Sequence, residues 1–185
     1  MRLFVAIDLP AELRDRLAAM SCGLPGARWV RSEQLHLTLR FIGEVDGVMF
    51  QAIREALAGV RGRSFAMQLA GVGYFPPRKR PRVVWVGIRE NEDLVRLRNR
   101  IESSLVRAGL APEQRKFSPH ITLARLNRTP VSRVGRYLED HGLFRSPEFR
   151  VQRFRLYSSV LGRGGATHCV EQEYQLSEQG GGLPG

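Results

Sequence analysis

Two short stretches hold the residues best suited to chemistry in this 185-residue chain: His36-Leu37-Thr38-Leu39 and His120-Ile121-Thr122-Leu123. They lie 84 residues apart, close to half the chain length. The chain has only four histidines and four threonines, so half of each type falls in this pair. From average composition, such a double match arises by chance on the order of once in ten thousand chains. Shared ancestry of two halves explains the likeness. It gives no reason to keep His and Thr while neighbours such as Arg40/Ala124 and Phe41/Arg125 diverge.

Strand alternation places His and Thr, at i and i+2, on one face about 7 Å apart. An imidazole titrates near neutral pH, so one ring can take up a proton while the other gives one. Threonine hydroxyls can donate to anionic non-bridging oxygens. The set suits displacement at phosphorus: a base for the attacking water, an acid for the leaving oxygen, and donors for the phosphoryl oxygens. No Asp, Glu or Cys cluster accompanies the histidines, so metal and cofactor are expected to be absent. No Gly-x-Ser-x-Gly elbow supports acyl transfer.

The elements that must position these residues follow from periodicity. "RLFVAID" reads as a strand over Arg2–Asp8, and a helix runs from Pro10 to about Met20 with Leu13 and Leu17 at helical spacing. "LHLTLRFIG" alternates, with Leu35, Leu37 and Leu39 on one face and His36, Thr38 and Arg40 on the other. A helix over about Val48–Gly59, strands at about Phe65–Tyr74 and Arg82–Ile88, and the loop "FPPRKRPR" follow. Asn91 caps a long helix to about Ala108, with Leu94, Leu97, Ile101 and Leu105 as its apolar face. "HITLA" is a strand, Val131–His141 a helix, and Phe149–Val160 and Thr167–Leu176 a strand pair turning at Gly162, Gly164 and Gly165. Each half runs helix, His-x-Thr-Leu strand, helix, strand, strand. The expectation is an α+β fold in which residues 1–177 form one domain of two duplicated lobes, with the motif strands facing across one cleft. The tail at 178–185 is expected to be disordered.

Apolar content of 43% and charged content of 25% are those of an ordinary globular protein. No apolar run is long enough to span a bilayer, and the first residues lack the pattern of a signal peptide. Cys22 and Cys169 have neither metal-ligand nor redox spacing, which points to a reduced, cytoplasmic setting. A net charge of +11 favours a polyanionic partner, nucleic acid or nucleotide phosphate.

The paired motifs, with "RLFVAIDLP", "LHLTLRFIGEV", "PRVVWVGI" and "FSPHITLAR", resemble the two-histidine (2H) phosphoesterases. The likeness is greatest to the RNA 2′,3′-cyclic phosphodiesterases, also called 2′-5′ RNA ligases (LigT/ThpR-like), and runs from about Met1 to Leu176. The resemblance implies a bilobal, pseudo-two-fold-symmetric fold: two antiparallel sheets flanked by helices around a central active-site groove. It implies metal-independent opening of a terminal 2′,3′-cyclic phosphate to a 2′-phosphate. By the same analogy His36 is the proton donor, His120 the proton acceptor, and Thr38, Thr122 and Arg125 bind phosphate. The expected partner is RNA with a 2′,3′-cyclic phosphate end, with small cyclic nucleotides as further substrates, acted on by a monomer. Alternatives are 2′-5′ RNA ligation, cleavage of 2′-5′ oligonucleotides or cyclic nucleotides in the same groove, and a non-catalytic RNA-binding module.

Several positions carry separate expectations. Strict alternation turns Arg125 away from His120, so a bulge or strand end is expected there. Where many relatives have a basic residue before the second motif's Pro, this chain has Ser118, with Lys116 nearby. Arg40 shares the His36 face, as an RNA contact or a solvated rim charge. His141 is expected to be an exposed helix-end residue, and His168 to line the groove edge or pack. Pro76–Arg82 is a candidate RNA-backbone contact. Phe4, Phe41, Tyr74, Phe75 and Trp85 are expected mainly in the core, with one free to stack on a base.

Overall fold

The structure, a computed structural model, describes residues 1–162 and 165–178. The strand β1 (Arg2–Asp8) lies in the interior of the first sheet, between β3 (His36–Glu44) and β9 (Arg153–Gly162), with β10 (Gly165–Gln175) outermost. Two buried faces explain its unbroken apolar run. Leu3, Val5 and Ile7 enter the core, and Phe4, only 3% exposed, lies on the opposite face. The second sheet has the order β2 (Ala27–Trp29), β7 (His120–Leu126), β6 (Val83–Ile88), β5 (Leu69–Phe75). All pairs are antiparallel, and a two-stranded ribbon joins β4 (Phe65–Met67) to β8 (Phe149–Val151).

Among the described residues four helices flank the sheets: α1 (Ala11–Ala19), α2 (Gly47–Ala58), α3 (Glu92–Arg107) and α4 (Val131–His141). The periodicity explains α3 directly. Asn91 Oδ1 accepts from the Leu94 amide at 3.0 Å, Glu92 and Asp93 meet the positive end, and Leu94, Leu97, Ile101 and Leu105 form its buried stripe. Losing such a cap typically costs about 1 kcal/mol. Helices α2 and α3 pack together, α2 touching β10 and α3 touching β3, while α4 packs on β5. Tyr137 Oη of α4 donates to the Met20 carbonyl just after α1, at 3.0 Å. Among the described residues no helix is long and apolar enough to cross a membrane.

The sheets do not each collect one half of the chain. The His36 sheet takes β9 and β10 from the C-terminal part, and the His120 sheet takes β2, β5 and β6 from the N-terminal part. The expected strand over Phe65–Tyr74 is two strands, because Phe65–Met67 pairs with β8 whereas Leu69–Phe75 pairs with β6. The strand β2 and the 3-10 turn Ser32–Gln34 were not anticipated. Gly164 of the expected turn, and the expected tail from residue 179 on, lie outside the described residues.

Candidate active site

Both motif strands slip register just past their threonine. Against β1, Ala6 faces Thr38 and Val5 faces Arg40, so Leu39 is the extra residue. Against β6, Trp85 faces Thr122 and Val84 faces Ala124, so Leu123 is the extra residue. Such a bulge resets the alternation. The residue four past each histidine turns to the back, and the residue five past it returns to the groove. Arg125 is thereby placed with His120 and Thr122, through the bulge expected there.

The same slip overturns the expectation for Arg40. Its side chain is 10% exposed and lies on the back of the sheet, where Nε pairs with Glu102 at 2.7 Å and Nη1 with Glu113 at 3.2 Å. Nη2 also donates to the Ala111 carbonyl at 2.7 Å. Arg40 is a structural ion-pair centre and not a groove residue. Phe41 takes its place on the groove face, 40% exposed and so not a core aromatic.

His36, Thr38, His120, Thr122 and Arg125 line one groove of 740 Å³ between the sheets. Each histidine is oriented alike. His36 Nδ1 lies 2.7 Å from the Gln34 carbonyl, and His120 Nδ1 lies 2.7 Å from the Ser118 carbonyl. A carbonyl only accepts, so Nδ1 carries a proton in both rings and Nε2 is left for the chemistry. A neutral ring then offers an Nε2 lone pair, and a protonated one an Nε2–H. His36 Nε2 lies 3.1 Å from Thr38 Oγ1.

The surroundings of the rings differ. His36 stacks on Phe4 at 4.9 Å, and His168 meets its edge at 5.3 Å. Burial holds His36 below the usual imidazole range. The Gln34 hydrogen bond and the Asp8 charge oppose this, while charge on His168 or His120 adds to it. Burial also pushes His168 down. Beneath Phe4 lies Tyr157, stacked at 5.1 Å, whose hydroxyl donates to Asp8. Its phenol is pushed up to about 12 by burial first and the Asp8 hydrogen bond second, so it stays a donor. Asp8 also pairs with Arg155, which continues to Glu173 at 2.7 Å. His120 packs against the edge of Phe75 at 4.9 Å, with Trp85 beyond at 6.2 Å. Trp85 lies flat across β5 because residue 73 is glycine; a Cβ there would come within 2.3 Å of the indole.

His168 lines the groove edge, the first of its two expected places. His141 departs from expectation: it is half-buried, stacked on Tyr137 at 4.3 Å, with Nδ1 buried and unpartnered. No residue of the Pro76–Arg82 loop lines the groove. The reading of the residues missed Gln34. Its carbonyl orients His36, and its side-chain Nε2 donates to the Ala166 carbonyl of β10 at 2.7 Å. No sequence signal marks it, because the carbonyl two residues before each histidine is a backbone group that any residue supplies.

Comparison with known proteins gives the decisive observation. The family model described as LigT like phosphoesterase matches the chain twice, at residues 7–85 and 86–168. The chain belongs to the LigT-like phosphoesterase family. Among curated relatives, proteins named RNA 2′,3′-cyclic phosphodiesterase from Aeropyrum pernix and Thermotoga maritima are each 37% identical, covering 92% and 99% of this chain and 96% and 98% of their own. The crystal structure of Escherichia coli LigT in apo form superposes with a TM-score of 0.78 at 31% identity, covering 95% of this chain and 97% of that one. The E. coli LigT structure complexed with 3′-AMP superposes at 0.75. The fold is that of LigT structures, an α+β arrangement of two antiparallel sheets with four helices.

Proposed function

We propose that this LigT-like phosphoesterase is an RNA 2′,3′-cyclic phosphodiesterase that uses two histidines and no metal. One observation carries the reading: two imidazoles, each with Nδ1 tied to a carbonyl so that Nε2 is the nitrogen left for proton transfer, share a groove with the guanidinium of Arg125. The names of the curated relatives supply the substrate class. In the reaction, His120 Nε2 takes a proton from water as its oxygen bonds to phosphorus. The P–O3′ bond breaks, and His36 Nε2–H protonates the departing O3′. The product carries a 2′-phosphate and a 3′-hydroxyl, leaving His36 neutral and His120 protonated; proton exchange with solvent resets the pair. Thr38, Thr122 and Arg125 bind the phosphoryl oxygens, whose charge builds in the transition state.

His36 as the acid requires its proton to return against burial. The negative charge of the bound phosphate supplies that bias, and a depressed imidazolium is a stronger proton donor once formed. A 5′-hydroxyl in place of water would give 2′-5′ ligation by the same groups. A pure binding module needs no pair of imidazoles. Residues 1–177 are read as one domain of two duplicated lobes, supported by the double family match. One chain supplies both motifs, which supports a monomer, and the free thiols Cys22 and Cys169 support a cytoplasmic setting.

The test is turnover of a short RNA ending in a 2′,3′-cyclic phosphate, in excess EDTA, beside the His36→Ala/His120→Ala variant. A 2′-phosphate product from wild type alone is expected. Activity lost on chelation and restored by one added metal would overturn the mechanism, and activity retained by the double variant would overturn the site.

A further inference from the structure

The groove holds more positive charge than the reacting phosphate needs. Among the described residues, Arg2, Arg28, Arg31 and Arg125 line it, and no Asp or Glu does. Elsewhere Arg40, Arg96, Arg98, Arg153 and Arg155 each have a carboxylate partner. Among the described residues, none of the four groove guanidiniums makes an ion pair or hydrogen bond; Arg2 lies over the Phe41 ring at 5.0 Å. Arg28 is also directly opposite Arg125 across the β2–β7 ladder. Like charges in that position repel, a cost that a bound polyanion removes.

The segment carrying Arg28 and Arg31 forms one wall of the groove. It starts as β2 against β7, and Val30 N donates to the Leu123 carbonyl at 2.8 Å. It finishes at Gln34, bonded to Ala166 of the opposite sheet. This wall is therefore tied to both sheets and offers two exposed guanidiniums beyond Arg125. A cyclic phosphate at an RNA 3′ end is one charge; the chain 5′ of it carries one more per nucleotide.

We propose that Arg28 and Arg31 hold the internucleotide phosphates 5′ of the reacting terminus, so that the groove takes RNA ends in preference to free cyclic mononucleotides. This rests on the phosphodiesterase reading and extends it to the length of substrate recognised. Both arginines grip the RNA backbone and so carry no base preference.

The experiment compares kcat/KM for cytidine 2′,3′-cyclic phosphate and for a trinucleotide ending in that group, in wild type and in Arg28→Ala/Arg31→Ala. Wild type is expected to favour the trinucleotide by about tenfold or more, and the variant to bring the ratio to within about threefold of one. The slope of log kcat/KM against log salt for the trinucleotide should become shallower by about 1.4, at about 0.7 for each of the two phosphates that the variant leaves unneutralised. A wild-type ratio near one overturns the proposal. So does a ratio that survives in the variant, including equal loss on both substrates, which would put these arginines on the reacting phosphate. Failure of wild type to turn over either substrate would overturn the phosphodiesterase reading itself.

Discussion

The two motif strands are alike in backbone and unlike in what surrounds them. In β3 and β7 the histidine donates to the carbonyl two residues before it, and the strand slips at the Leu after the threonine. What each slip exposes differs. The His120 strand turns Arg125 into the groove and hides Ala124; the His36 strand turns Phe41 into the groove and hides Arg40 behind the sheet. The His36 ring is enclosed by Phe4 and His168, whereas His120 meets only ring edges and tilted rings. A symmetric scaffold thus presents two imidazoles oriented alike, and the position five past each histidine puts an arginine on one wall and a phenylalanine on the other.

The largest expected effect breaks what the halves share. His36→Ala and His120→Ala should each lower kcat by about 10²–10⁴-fold on a cyclic-phosphate RNA. Full activity in either variant would show that the two rings are not a working pair. Next comes the position where the halves differ most. Arg125→Phe, which makes the second strand copy the first, should lower kcat/KM by about 10–100-fold through loss of charge-assisted hydrogen bonds. Arg125→Lys should recover part of this, because the charge remains without the fork. Equal activity of wild type and Arg125→Phe would mean that the asymmetry has no role in binding phosphate.

Behind the sheet the prediction concerns stability. Arg40→Ala removes the shared cation between Glu102 and Glu113, whose side chains are only 14% and 18% exposed, and leaves them Arg98 at 3.8 Å and Arg115 at 3.3 Å. Urea denaturation should show a loss of about 1–3 kcal/mol, below the range for fully buried pairs because residual solvent screens these charges. The folded fraction should keep its kcat/KM. Unaltered stability with weakened RNA turnover would return Arg40 to the groove.

The smallest effect is the pH response of the enclosed ring. His36 and His168 are held low by burial, so around and below pH 6.5 the unfolded chain binds more protons than the folded one. Stability should therefore fall as pH drops through that window and return above it. A 2′-phosphate product should raise the His36 pKa, read from imidazole NMR shifts. An unmoved His36 would remove the basis for its role as the acid.

Much of this was legible in the chain. Val131–His141 and Arg2–Asp8 follow from periodicity alone, and Asn91 marks its helix because side-chain capping is a local interaction. Bulges are harder, since they arise from pairing with a neighbour. The slip in β7 was foreseeable only because Arg125 would otherwise face the wrong way. The same argument applied to β3 would have turned Arg40 behind the sheet, away from the groove. The strand β2 escaped notice because three residues are too few for a period, and its pairing with β7 spans about a hundred residues of chain.

By itself the sequence determined the candidate groups. A repeated His-x-Thr-Leu puts an imidazole and a hydroxyl on one face of a strand, and that depends only on the two-residue period of the backbone. Only the tertiary structure decided what surrounds those groups. Which strand lies beside β1 or β7, where the ladders slip, and whether an arginine meets a carboxylate or an open groove depend on contacts between distant residues. Those contacts leave no local pattern in the chain.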